Sequence, residues 1–367
     1  MLQLKSSTCS LVILSLLCGL LECYAFTDTL KVSYKPEFKF FPTISYSPET
    51  RLALGTSGMC FFRLNPKDTV ARLSMANLSA SFTQNKQVIL NVGANIFSTH
   101  EKYWFRTNIT YTKFPMFFYG IGNDAPLSNE ERIFFKNLRF ALTAMKQIKP
   151  KFFMGIGARF AQITDVKWEH QGLLERLNPV GKRGSRVVGL TFSVLHDNRD
   201  NQPNPSKGTY LGFDFQTHNR QLGSEFAFKS FAFDARKYWQ VHHKRHILAW
   251  QFVSMANYGE VPFTELVMVG GEMIMRGYYW GRYREKQFIA SQIEYRLPLH
   301  KYWGIVVFVG GGGITDKWQN WRWKYFHHNY GIGVRFKIIP SQNINLRIDY
   351  GRGEDSGSFY FGLTEAF

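Results

Sequence analysis

The residues most able to do chemistry sit in a glycine-rich connection: Gly270-Gly271-Glu272, then Met275-Arg276-Gly277-Tyr278, then Gly281-Arg282-Tyr283-Arg284. A guanidinium withdrawn from water needs a carboxylate in bidentate geometry. The following strand-like segment offers one, because Gln292, Glu294 and Arg296 share a face opposite Ile289, Ile293 and Tyr295. Arg276 is therefore expected to pair with Glu294; the competing reading leaves it solvated at a loop tip. A second polar run, Asp197-Asn198-Arg199-Asp200-Asn201, resembles part of a calcium loop but lacks the Gly and the distal Glu such a loop requires. Asp197, Arg199, Asp200 and Asn201 read better as a turn that caps its own backbone. The adjacent pairs His242-His243 and His327-His328 would point to opposite strand faces, which argues against a metal site. No nucleophile, base and orienting acid stand at a recognisable spacing, so no enzyme, metal or cofactor is expected.

The elements that would carry these residues are strands. Aromatic residues make up 17% of the 367 residues and there are 31 glycines, yet mean hydropathy is negative. Residues 1–25 read as a secretory signal peptide: Lys5, an apolar run from Leu11 to Leu21, then Cys23-Tyr24-Ala25. That run is too short for a helix crossing a core of ~30 Å. Three of the four cysteines leave with it, so only Cys60 remains and no internal disulfide is possible; Cys60 is expected as a small buried hydrophobe. The formal charge of +18 stays with the exported chain, where a phosphate-rich lipid surface or a basic lumen fits it better than nucleic acid.

From about residue 37 onward, segments of roughly ten residues alternate apolar and polar positions between turn residues, as transmembrane barrel strands do. In 330–338 Tyr330, Ile332, Val334, Phe336 and Ile338 oppose Gly331, Gly333, Arg335 and Lys337; in the next strand Ile344, Leu346, Ile348 and Tyr350 oppose Asn345, Arg347 and Asp349. Sixteen strands are expected, near 37–46, 51–63, 68–83, 87–98, 102–113, 132–147, 150–163, 185–197, 208–218, 224–237, 245–257, 286–298, 303–314, 328–339, 343–351 and 357–367. In 224–237 Lys229 and Asp234 fall on opposite parities, which suggests a bulge. The last strand places Phe359, Phe361, Leu363 and Phe367 on one face. The long connections 114–131, 164–184, 258–285 and 315–327 fall on one side, taken as the outer one. The cluster Trp318, Trp321, Trp323, Tyr325 and Phe326 with Lys317, Arg322 and Lys324 reads as an interfacial belt with phosphate-contacting bases. Asn77-Leu78-Ser79 and Asn108-Ile109-Thr110 match glycosylation acceptors but read as lumen positions.

Three motifs in this order resemble the BamA/TamA (bacterial surface antigen) family of outer-membrane assembly factors. Phe118-Tyr119-Gly120-Ile121-Gly122-Asn123-Asp124 with Glu130-Glu131 is similar to the family's third outer loop. Asp197 to Asn201, with Pro203, Pro205, Gly208 and Tyr210, resembles its turn between strands eight and nine. Gly270 to Arg284 resembles its sixth loop, with Met275, Arg276, Gly277 and Tyr278 at the tip. The resemblance covers residues 37–367 and implies an all-β transmembrane barrel, with loop six folded into the lumen, in a Gram-negative outer membrane. In the family an aspartate on strand thirteen also meets the loop-six arginine, whereas here that stretch reads Val309-Gly310-Gly311-Gly312-Gly313, with Asp316 only later.

The implied domain organisation is a signal peptide (1–25) and a barrel (26–367), without room for the family's polypeptide-transport-associated domains. The implied function is insertion or translocation of client proteins, with periplasmic or outer-membrane protein partners and contacts to lipid and lipopolysaccharide. The alternative is a passive basic pore or a scaffold. A family seam between first and last strands would fall on residues 37–46 and 357–367, with positions Lys39, Phe41, Phe359 and Phe361 assigned to it; Pro42 and Pro48 would weaken it by removing donors.

Overall fold

The computed structural model describes residues 36–47, 51–241 and 246–367. The expected signal peptide, Pro48 and the His242-His243 pair lie outside the described residues. Sixteen antiparallel strands follow one another in a single sheet, each hydrogen-bonded to its chain neighbour. They are β1 (Glu37–Ser47), β2 (Arg51–Phe62), β3 (Ser74–Thr83), β4 (Val88–Phe97), β5 (Tyr103–Phe118), β6 (Glu131–Lys149), β7 (Phe152–Lys167), β8 (Ser185–Asp197), β9 (Gly208–His218), β10 (Phe228–Val241), β11 (His246–Gly259), β12 (Gln287–Pro298), β13 (Trp303–Thr315), β14 (His327–Ile339), β15 (Ile344–Arg352) and β16 (Gly357–Leu363). The sheet curls so that β1 and β16 come side by side, with Cα atoms within 8 Å, but no ladder joins them among the described residues.

Two-residue alternation sets the two faces. In β8, Ser185, Val187, Thr191, Ser193, Leu195 and Asp197 are buried inward, while Leu190 and Phe192 face out. On β14 the outward Tyr330, Ile332 and Val334 are exposed, as a lipid-facing surface requires, and Asn329 and Arg335 are buried. Asn77, Asn91, Thr110 and Asn108 form a ladder of side-chain hydrogen bonds across β3, β4 and β5.

Several expectations are corrected. β3 starts at Ser74 instead of 68, because Asp68 holds a turn by accepting the backbone N–H groups of Val70, Ala71 and His100. The segment around β10 carries no bulge: its registers with β9 and β11 are continuous. Lys229 is opposed by Tyr258 at the outer end of the strand, where a long amine can reach water from an outward position. Bulges occur instead between β6 and β7 and between β14 and β15. Cys60 is only partly buried, on the outward parity of β2 between the buried Met59 and Phe61. Phe367 does not continue the outward face of Phe359. β16 ends at Leu363, Thr364 takes φ +70°, and Phe367 packs inside against Tyr238, with ring centroids 6.2 Å apart.

Candidate functional site at the tip of loop six

Loop six (260–286) joins β11 to β12 and closes its own base with a two-residue ladder, Val267–Met268 against Arg284–Glu285. Its apolar residues Val261, Phe263 and Leu266 pack with Phe118, Ile133, Ile163 and Phe228 in the largest buried cluster. That cluster anchors the loop against strands β5 to β10 and sends its tip across the lumen. Loop three (119–130) and the end of β5 lie over it: the Gly122 N–H donates to the Arg284 carbonyl, and the Phe117 N–H of β5 to the Tyr279 hydroxyl. Within the loop-three motif, Glu131 takes a separate task. Its carboxylate accepts the N–H groups of Glu169 and Leu174, capping the short helix Leu173–Leu177 of loop four (168–184).

The tip docks on the inner wall of β12 to β16. Met275 sits in the left-handed region (φ +56°) and Gly277 at φ +112°. A Cβ at Gly277 would lie 2.5 Å from the Gly353 nitrogen, so only glycine permits this approach. The Gly277 N–H donates to the Tyr360 hydroxyl, and the Ser356 hydroxyl donates to the Gly277 carbonyl. Tyr278 donates to the His328 carbonyl, and its ring lies against Gly353. Burial raises the Tyr278 phenol above its ordinary value. Arg282 donates to the Ala125 carbonyl of loop three and pairs with Asp355 of loop eight (353–356) at 2.7 Å. That hydrogen bond holds the Asp355 carboxyl below the usual carboxylate range.

Arg276 is fully buried and lies over the Phe308 ring at 3.6 Å. Its guanidinium bonds Glu294 on β12 and, at 2.7 Å, Asp349 on β15. These pairs belong to a closed ring of alternating charge. Glu294 also holds Arg296 (3.0 Å), Arg296 approaches Glu365 (3.9 Å), Glu365 holds Arg335 (2.7 Å), and Arg335 returns to Asp349. Arg347 makes a third guanidinium contact to Asp349 at 3.1 Å and reaches Glu272 of loop six. The ring members are all buried. Three carboxylates among four guanidinia, with exposed Glu272 at the edge, leave the cluster close to neutral, which such burial requires.

Asp349, Arg335 and Glu365 were not singled out from sequence. The only signal was parity, since Arg335 and Asp349 fall on polar faces. The second carboxylate on Arg276 comes from Asp349 on β15, two strands beyond the stretch 309–313 that lacks an aspartate. Two glycines of β13 serve a different end: a Cβ at Gly311 would lie 2.5 Å from the Phe326 ring and one at Gly313 2.9 Å from Trp321, so the absence of side chains there lets loop seven (316–326) lie on the outer wall. Asp316 instead accepts from Asn320. In that loop Trp323 contacts both Trp321 and Phe326 and is 75% exposed.

At the opposite end of the barrel, Asp197 is buried and binds Arg199 and Arg72, while Asp200 accepts the N–H groups of Asn201, Ser206 and Lys207. Asn201 accepts from the Asn204 N–H. This turn crosses under the barrel, for the Glu365 N–H donates to the Pro203 carbonyl. Of the four residues assigned to the seam, Phe41 packs with the cluster of Met59, Phe61, Ile339 and Ile344, which includes Leu363 and so spans the seam. Lys39 pairs with Glu37 on its own strand. Phe359 faces outward against Tyr350, and Phe361 shares its parity. His327 is buried against Tyr283 while His328 is exposed, and among the described residues no group of three or more His, Cys, Asp or Glu could hold a metal ion.

Comparison with solved structures finds the same fold in BamA of Haemophilus ducreyi lacking POTRA domains 1–3, at TM-score 0.58 and 14% identity, covering 98% of this chain and 79% of that one. CdiB of Acinetobacter baumannii (TM-score 0.56, 11% identity) and CdiB of Escherichia coli (TM-score 0.56, 10% identity) are matched over 91% and 90% of this chain. The chain spans 66% and 63% of those two proteins. No curated protein matches it in sequence. The Omp85 superfamily domain matches residues 77–367, so this chain belongs to the Omp85 superfamily of Gram-negative outer-membrane β-barrels, whose members take part in protein insertion or secretion.

Proposed function

We propose that the barrel assists insertion or passage of client proteins at the outer membrane, with the β1–β16 seam as the point where a client strand is accommodated. The observation that carries this reading is the missing ladder. Among the described residues every other neighbouring pair of strands is hydrogen-bonded, whereas β1 and β16 adjoin without a ladder. An unpaired strand edge is a template for strand addition. Loop six, with Arg276, Gly277 and Tyr278 locked on β12 to β16, keeps that wall rigid while leaving β1 outside the charged ring. Loop six and residues 364–367 occupy the lumen, which favours assembly over an open basic pore. No enzymatic step enters the reading. Residues 1–25 act as the export signal, periplasmic or outer-membrane partner proteins deliver clients, and the Trp318 to Phe326 belt with Lys317, Arg322 and Lys324 contacts lipid and lipopolysaccharide phosphates. The test is a set of cysteine pairs across β1 and β16 in a Cys60→Ser background. Cross-linked protein should stay folded and lose client insertion in cells, recovering on reduction; full activity while cross-linked would overturn the proposal.

A further inference from the structure

At the turn end of the barrel, opposite loop six, a cavity of about 240 Å³ opens between the β12–β13 turn, the β14–β15 turn and Asn204 of the β8–β9 turn. Four cations line it, Arg296, Lys301, Arg335 and Lys337, against one carboxylate, Glu365. Arg296 and Arg335 belong to the buried ring, but Arg335 has capacity left: its Nη2 is buried without a hydrogen-bond partner. Lys301 and Lys337 make no ion pair among the described residues; Lys301 is exposed and Lys337 half-buried. A buried donor without an acceptor costs ~1–3 kcal/mol, so the cavity favours an arriving anion.

We propose that this cavity binds an acidic segment of a partner polypeptide, with a carboxylate reaching Arg335 Nη2 between Lys301 and Lys337. Three observations select that chemistry. Arg335 already holds two carboxylates, Asp349 and Glu365, so the wall is preset for carboxylate oxygens. The volume fits a side chain and not a folded domain. Arg296, Arg335 and Asn345 are buried on the inward parity of their strands, so the group that meets Arg335 Nη2 sits on the inner face of the wall, with Tyr302 and Trp303 at the rim. The proposal deepens the assembly reading by naming the chemistry of a partner on the turn side, and it rests on that reading for the partner's role.

The experiment uses the full chain folded in detergent and a fluorescein-labelled hexapeptide of Asp and Glu, with its Asn and Gln twin as control, followed by fluorescence anisotropy. Lys301→Gln with Lys337→Gln leaves the ring untouched, and folding is checked by heat-shifted gel mobility. The protein should bind the acidic peptide with an affinity that weakens with added salt, bind the twin at least tenfold less well, and lose about tenfold in affinity for the acidic peptide in the double variant. Equal binding of the two peptides, or unchanged binding in the folded double variant, overturns the proposal. Complete displacement by inorganic phosphate at the peptide's own concentration would make this a small-anion site, and displacement by phosphatidylglycerol vesicles at equal charge a headgroup site; either outcome also overturns it. The assay contains no client, so its failure and failure of seam cross-linking are separately readable.

Discussion

Replacing Asp349 by Asn should destabilise the barrel more than replacing Arg276, the residue its sequence advertises. Asp349 accepts from Arg276, Arg335 and Arg347, all three in the buried wall. Asn keeps the size and one acceptor oxygen but leaves four guanidinia facing only Glu294 and Glu365. Each hydrogen bond to a charged group contributes roughly 1.5–3 kcal/mol, and breaking a buried pair by removing one partner costs about 3–5 kcal/mol. With one acceptor retained, a loss of about 4 kcal/mol follows for Asp349→Asn. Arg276→Met removes two ion pairs and a hydrogen bond to Gln292, yet it leaves three guanidinia for three carboxylates, and its thioether can still cover Phe308. Its cost should be lower, about 2–3 kcal/mol, because no excess charge is stranded. Urea titrations of folded protein in detergent, followed by gel mobility and tryptophan emission, would measure both, and the double variant would give the coupling between them. Equal losses, or additivity of the two, would refute a closed ring and return Arg276 to an ordinary ion pair.

Three further perturbations follow from the same geometry. Gly277→Ala places a Cβ 2.5 Å from the Gly353 nitrogen at φ +112°, so strain of about 1–3 kcal/mol should undock the tip; limited proteolysis should then cut within 270–285, and continued resistance would contradict the docking. The Arg282–Asp355 contact should depend on pH. Because its folded value is depressed, the contact stabilises above the unfolded carboxylate value of ~3.9 and fades as pH falls through the lower folded one. Protease sensitivity of loop eight should rise at low pH in the native chain and not change with pH in Asp355→Asn. Glu131→Gln loses one of two acceptors at the loop-four helix, and faster amide exchange over residues 169–177 is the expected sign, for a cap contribution of about 1 kcal/mol.

Strand number, alternation and loop placement could be read from sequence because a lipid-facing wall forces an apolar residue at every second position, as in Tyr330, Ile332 and Val334. The pairing of Arg276 with a β12 carboxylate was legible for a related reason: Glu294 is the one acid on the polar parity of that strand. Asp349, Arg335 and Glu365 were not, because parity says that a side chain points inward but not which of many inward groups meet across the lumen. Glu365 was hidden further, since it depends on Thr364 adopting φ +70° and turning the chain inward, which alternation cannot foresee. The same turn explains why Phe367 was placed on the wrong face.

The ring also bears on where the wall can part. Its members sit on loop six, β12, β14, β15 and the segment after β16, and none lies on β1 or β2. Among the described residues, separating β1 from β16 therefore strands no member of the ring and breaks no ladder hydrogen bond, each of which would contribute about 1 kcal/mol. Among the described residues, apolar packing of Met59, Phe61 and Phe41 with Ile339, Ile344 and Leu363 crosses this join. Parting the wall anywhere between β12 and β16 would instead break ladders, and splitting the ring would expose Asp349 or Glu294 with its partners gone. On the reading proposed above, the charge network stiffens one side of the seam and leaves β1 free to move away from it.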